Sequence, residues 1–257
     1  MSNLQNKIVL IAGASSGIGA GAALHLAGLG AKLSLVARNT EKLEQIAEQC
    51  RSLGSPQVLI CPHDLSIEAE CVKAVAETVK KMNGLDVLVN SAGILVSGSI
   101  LTLTSEQYDH CMNINTRAAF ILTQQCVPHL IKTKGTIVHV SSVTGLRAFP
   151  GVLAYNMSKS AVDQLTRTVA LEVAEFGVRV NAVNPGVIVT NVHKQAGMAD
   201  EAYEKFLEHS KTTHALGRVG TVDEVAKAIE FLASDKSSFI TGQTLAIDGG
   251  RSVMCPR

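Results

Sequence analysis

The sequence predicts a doubly wound α/β fold on a parallel sheet of seven strands. Strand-like and helix-like segments alternate from the N-terminus onward, and most strand candidates are apolar throughout rather than on alternate residues. A glycine-rich turn joins the first strand to the first helix. Alternation of this kind gives a layered α/β arrangement, and a continuously apolar strand is one buried on both faces, as in a parallel sheet covered by helices.

The elements follow in order. Ile8–Ala12 is the first strand, and Ile18–Leu29, with small and apolar residues, is the first helix. Lys32–Ala37 is the second strand, and Thr40 caps a helix that places Leu43, Ile46, Ala47 and Cys50 on one face. After the strand Gln57–Cys61, a helix starts at Ser66 and carries Ile67, Cys71, Val72, Val75, Val79 and Met82 as one apolar stripe opposite a charged face. Leu85–Val89, Thr136–Val140, Val178–Val183 and Thr244–Ile247 complete the seven strands. Only Thr190–Gly220 breaks the rhythm. It is polar and mixed, so one domain spanning 1–257 is expected, with a substrate flap at about 190–220.

Composition narrows the function. In 257 residues, 23 Lys+Arg balance 22 Asp+Glu for a net charge of +1, which argues against a polyanion-binding surface and hence against nucleic acid. Apolar runs are too short to provide the roughly 20 residues of a membrane span. Met1 to Lys7 is polar and lacks a secretory-signal pattern, so a cytoplasmic location is expected. Six cysteines form no CxxC pair and do not cluster with histidines. They read as reduced thiols, and no metal site is expected.

Ligands of doubly wound sheets bind beyond the carboxyl ends of the strands. After the first strand comes Gly13-Ala14-Ser15-Ser16-Gly17-Ile18-Gly19. Glycines let a backbone turn sharply and approach a pyrophosphate, whose charge then meets the amides of a helix N-terminus. An ordinary tight turn would look similar, but the first βα turn is where a dinucleotide fold places its phosphates. After the second strand the chain reads Ala37-Arg38-Asn39, with no acid for the ribose of NAD. An arginine there suits the 2′-phosphate of NADP, so NADP(H) is expected over NAD(H). Asp64-Leu65 follows the third strand as an adenine flank, and Asn90-Ser91-Ala92-Gly93 follows the fourth; either segment also fits plain turn chemistry.

Ser141-Ser142 follows the fifth strand, and Tyr155 and Lys159, four apart, share a helix face. Tyr-x-x-x-Lys alone is a weak signal; its placement makes it informative. A phenol of reference pKa about 10 exchanges protons near neutrality only if its anion is stabilised. A close ammonium and a positive nicotinamide ring would supply that, while the serine hydroxyl holds the substrate oxygen.

Together, Gly13–Gly19, Asn90–Gly93, Ser142, Tyr155, Lys159, Asn184-Pro185-Gly186 and Asp248-Gly249-Gly250 resemble the compact branch of the short-chain dehydrogenase/reductase family over essentially the whole chain. The resemblance implies a Rossmann-like sheet and a homotetramer or homodimer. It implies Tyr155 as general acid/base, Ser142 as the group that polarises the carbonyl, and Lys159 as the group that lowers the tyrosine pKa and bonds the nicotinamide ribose. Asn115, rather than Asn113, matches the family's relay asparagine. Ile188 and Thr190, after Pro185-Gly186, match positions that hold the nicotinamide carboxamide. Ser16 stands where a basic residue would be the family's other NADP signature, so the NADP expectation rests on Arg38 and the missing acid.

The expected activity is NADP(H)-dependent reduction of a small carbonyl compound, or oxidation of the corresponding alcohol. Leu95, Val96, Val143, Phe149, Pro150, Val187 and Val192, with Met198 and Phe206 from the flap, predict a lipophilic substrate such as a steroid, retinoid, isoprenoid or diketone. The same residues would also serve simply to pack the flap. A 3-oxoacyl thioester reductase working on acyl-carrier protein is the alternative enzyme. A catalytically silent NADP-binding sensor is the alternative of another class. Among the histidines, His25 is expected to pack in the first helix, His63 to lie near the adenine, and His193, His209 and His214 to be mostly solvated.

Overall fold

A computed structural model describes residues 4–255; the first three residues of the polar N-terminal stretch lie outside it. Seven parallel strands form one sheet in the order β3-β2-β1-β4-β5-β6-β7: β1 Ile8–Ala12, β2 Lys32–Ala37, β3 Val58–Pro62, β4 Val87–Asn90, β5 Thr136–Val140, β6 Arg179–Pro185 and β7 Thr244–Ile247. Strand ends differ by one or two residues from those read in the sequence, as fraying ends do.

Helices cover both faces because the inner strands are buried on both and mostly apolar. In β1, Val9 and Ile11 join a core under α1 (Gly17–Gly28), α2 (Thr40–Ser52) and α10 (Val222–Ala233). Ile8, Leu10 and Ala12 join the opposite core, under α3 (Glu68–Met82), α5 (Ala118–Thr133) and α7 (Leu153–Val173). This two-residue period divides one strand between two cores, and each fully buried Leu or Ile stabilises the fold by about 1.5–3 kcal/mol.

Two helix starts differ from expectation for one reason, local side-chain chemistry. Asn39, not Thr40, caps α2, its Oδ1 accepting from Lys42 N at 2.8 Å. Ser66 does not open α3: its N–H and hydroxyl both donate to Asp64 Oδ1, at 2.9 and 2.8 Å, making a turn that delays the helix to Glu68. The segment read as polar and mixed contains two helices, α8 (Val192–Gln195) and α9 (Asp200–Thr212). Short helices α4 (Ser105–Met112) and α6 (Val143–Leu146) complete the set, and a π turn, Asn113–Arg117, joins α4 to α5. Among the described residues no helix is long and apolar enough to cross a membrane.

Candidate active site

One cleft of about 800 Å³ runs along the carboxyl edge of the sheet, lined by the segments that follow β1 to β6. It crosses the point between β1 and β4 where the strand order reverses, the place where such sheets accept ligands.

At one end, backbone makes the surface. Gly13 has φ +80°, and a Cβ there would lie 2.7 Å from Ala92 N; a Cβ on Gly19 would lie 2.2 Å from Gly13 O. Only glycine permits this approach of α1 to the turn that begins it. Gly13, Ser15, Ser16, Gly17 and Ile18 line the cleft, whereas Gly19 sits behind it as packing. Ser16 occupies the N-cap of α1 without a side-chain cap, and the first turn holds no acid. The helix's free amides therefore suit an anion. Arg38 and Asn39 line the same end, joined by Lys42, a cation the sequence reading missed. Asp64 Oδ2 lies 4.0 Å from Arg38 Nη1. Burial opposes its charge, but Ser66's hydrogen bonds and Arg38 hold the Asp64 carboxyl below its usual range. Leu65 lines the cleft, as does His63, whose ring nitrogens lie 2.6 Å from Glu70 and 3.0 Å from Glu77.

In the middle, Ala92, Gly93, Ser142, Tyr155 and Lys159 come together on the cleft wall. Ser142 caps α6, its Oγ accepting from Thr144 N at 3.1 Å. Lys159 Nζ donates to Val140 O at 2.9 Å and lies 5.6 Å from the Tyr155 ring centroid. Burial pushes the phenol up to about 12, against the pull of Ser142's hydroxyl. Burial also draws the Lys159 ammonium down to about 8.

Asn90 and Asn115 stand behind this wall, not on it. Asn90 is buried with its Nδ2 3.5 Å from His139 Nδ1. Asn115, in the π turn, accepts from Ile94 N at 2.8 Å and donates to Ile94 O at 2.9 Å, clamping the irregular segment after Gly93. Asn113 instead donates to Ser66 O at 2.8 Å, which separates the two asparagines. Sequence reading also missed Asp163. It is buried one turn beyond Lys159, and Asn184 Nδ2 donates both to its Oδ2 and to Ser142 O at 2.9 Å. Burial raises the Asp163 carboxyl despite the bonds from Ser141 and Asn184. The spacing 155, 159, 163 was its available signal.

At the other end, side chains make the surface. Pro185, Gly186, Ile188 and Thr190 line the cleft, with Leu95, Val143, Phe149, Pro150, Val187, Val192 and Phe206. Val96 and Met198, expected on this wall, are not among its residues; His193, Gln195 and Arg251 are. His214 is not solvated: it is buried, its Nδ1–H donates to Ser210 O (2.7 Å) and its Nε2 accepts from Val187 N (3.1 Å). It thus pins the loop after β6. His25 does not merely pack: its Nε2 lies 2.8 Å from Glu230 Oε2.

A family model described as enoyl-(acyl carrier protein) reductase matches residues 13–252. A 3-oxoacyl-acyl-carrier-protein reductase of Thermotoga maritima is 39% identical over 250 residues, 96% of this chain and 98% of that one. Glucose 1-dehydrogenase of Gluconobacter oxydans is 37% identical over 95% of this chain and 91% of its own. Among solved structures, a short-chain dehydrogenase/reductase of unknown function from Caenorhabditis elegans, crystallised with cofactor, superposes with a TM-score of 0.92 at 34% identity, covering 98% of this chain and 97% of that one. The family-model match, the full-length sequence similarity and the shared fold place the chain in the short-chain dehydrogenase/reductase family, oxidoreductases that interconvert alcohols and carbonyls with a nicotinamide cofactor.

Proposed function

We propose that this chain is an NADP(H)-dependent carbonyl reductase, running as an alcohol dehydrogenase when NADP is in excess. One observation carries the reading: Ser142, Tyr155 and Lys159 share a cleft wall, and the cleft's backbone-built end offers Arg38 and Lys42. The glycine cradle, the uncapped start of α1 and the cations fit a dinucleotide with a 2′-phosphate.

When bound, the nicotinamide supplies or accepts the hydride. Tyr155 delivers the proton to the carbonyl oxygen. Ser142 already accepts from Thr144 N, so its own proton is free for that oxygen. Lys159, cationic at neutral pH, has protons beyond the one given to Val140 O for a ribose hydroxyl, and its charge favours the departing phenol proton. Asn115 holds the Ile94 segment in register beside Lys159. Ile188 and Thr190 would hold the nicotinamide, and Asp64 and Leu65 would flank the adenine.

The apolar wall supports a lipophilic ketone or aldehyde, with residues 190–220 as a flap that supplies Val192 and Phe206. Exposed Phe120 and Leu171 on α5 and α7, and Phe239 and Val253 near β7, support a homodimer or homotetramer. Similarity to the Thermotoga enzyme favours a second reading, reduction of a carrier-linked 3-oxoacyl thioester. A carrier would need a free basic patch; of Arg117, Lys132 and Arg167, Arg117 is paired with Glu68 and Arg167 bonds Gln164 on its own helix, while exposed Lys132 is in no ion pair among the described residues.

Parallel assays with NADPH and NADH over apolar ketones, sugars and a carrier-linked thioester test the proposal. NADPH preferred, with apolar ketones reduced over sugars, is the expected result. A strong NADH preference would refute the role of Arg38; preference for sugars would remove the apolar pocket. Selective thioester reduction would favour the second reading, and cofactor binding without turnover a sensor.

A further inference from the structure

The side-chain end of the cleft holds a cation that an apolar wall does not explain. Arg251 follows Asp248-Gly249-Gly250, and its guanidinium stacks on Phe149, Cζ 4.6 Å from the ring centroid. Phe149 O in turn accepts from Asn156 Nδ2 at 2.8 Å, so the platform under Arg251 is tied to the residue beside Tyr155. Arg251 Nε is buried without a hydrogen-bond partner, and among the described residues Arg251 forms no ion pair. Its neighbour Asp248 is already engaged: Oδ1 accepts from Gly250 N at 3.0 Å and Oδ2 from Ser252 N at 2.6 Å. His193, stacked on Phe206 with ring centroids 4.5 Å apart, lines the same end and adds no negative charge. Among the described lining residues the only side-chain carboxylate is Asp64, beside Arg38 at the far end.

A buried donor left unpaired costs about 1–3 kcal/mol, and a guanidinium stacked on an aromatic ring presents a fork shaped for a carboxylate. We propose that Arg251 forms an anion subsite of the substrate pocket, and that the carbonyl substrate carries a carboxylate on an apolar body. The carboxylate bonds the guanidinium, and the apolar body lies along the Phe149 and Phe206 side of the wall, with the carbonyl toward Tyr155. This assignment rests on the carbonyl-reductase reading and deepens it by naming the substrate class.

The test compares levulinate and its longer straight-chain homologues with their methyl esters, by turnover with NADPH and NADH and by calorimetric binding to the NADP-loaded protein. At least one acid should bind and turn over about tenfold or more better than its ester. Arg251→Met should lower that acid-to-ester ratio about 10- to 100-fold, with Arg251→Lys partly restoring it. Unchanged cofactor binding shows that the variants remain folded. A wild-type ratio near one, or a ratio unmoved by Arg251→Met, overturns the subsite. Acid bound tightly with no turnover of either compound sinks the reductase reading and leaves the subsite standing. Acids and esters turned over and bound alike do the reverse.

Discussion

The two ends of the cleft are made of different material. At the α1 end, main chain is the surface: a Cβ on Gly13 or Gly19 has nowhere to go. At the opposite end, three segments far apart in sequence, around Phe149, Phe206 and Arg251, line one cleft, and Arg251 sits over the Phe149 ring. Backbone surfaces depend on which residues are absent, and side-chain surfaces on which are present. The first end should therefore resist substitution while the second accepts it and changes selectivity.

The largest predicted effect lies where the ends meet. Tyr155→Phe should lower kcat by about 10³-fold, the range of general acid–base catalysis, with cofactor affinity retained. Near-parental turnover in steady-state assays would move the proton donor elsewhere. Next, Gly19→Ala should cost about 3 kcal/mol of stability and weaken NADPH binding, because its methyl would meet Gly13 O rather than a yielding side chain. Denaturant unfolding measures this, and a neutral result would break the contrast between the ends. Arg38→Asp should raise the KM for NADPH about 30-fold and lower that for NADH, sharpening the α1 end as the selector of cofactor.

The smallest effect tests the loop joining the ends. His214→Phe removes the acceptor for Val187 N and should weaken cofactor binding about tenfold. Acid should imitate it. Burial holds His214 below the ordinary imidazole value of about 6.5, so its neutral form supports the fold. That support is present above pH 6.5 and is lost as pH falls through the lowered folded value. Cofactor affinity should fall with acidification in the parent and stay flatter in His214→Phe. Global stability should decline too, because burial draws His139 down to about 4. Between pH about 6.5 and about 4 this loss is on the order of 3 kcal/mol, readable by urea unfolding and absent in a folded His139→Asn variant.

Legibility in the sequence follows the same division. The α1 end could be read because a glycine turn after a strand is a local pattern with a local cause, and the Tyr155–Lys159 pair because helix spacing puts four-apart residues on one face. Asp163 was within reach of the same rule. His214 and Arg251 were not, since nothing near either residue in sequence indicates the Val187 amide or the Phe149 ring that it meets. Asn90, Asn115 and Gly19, read from the sequence as cofactor-binding or catalytic residues, stand behind the cleft wall, where they pack against segments that line it.

The strands and their parallel packing were legible in the chain alone, because apolar runs and turn residues are patterns confined to a few neighbouring positions; the strand order, and with it the order of segments along the cleft, came from long-range packing. Only the tertiary structure decided which side chains close the substrate end. It also decided which way burial pushes Tyr155 and Lys159, because desolvation is set by everything packed around a group, whatever its distance along the chain.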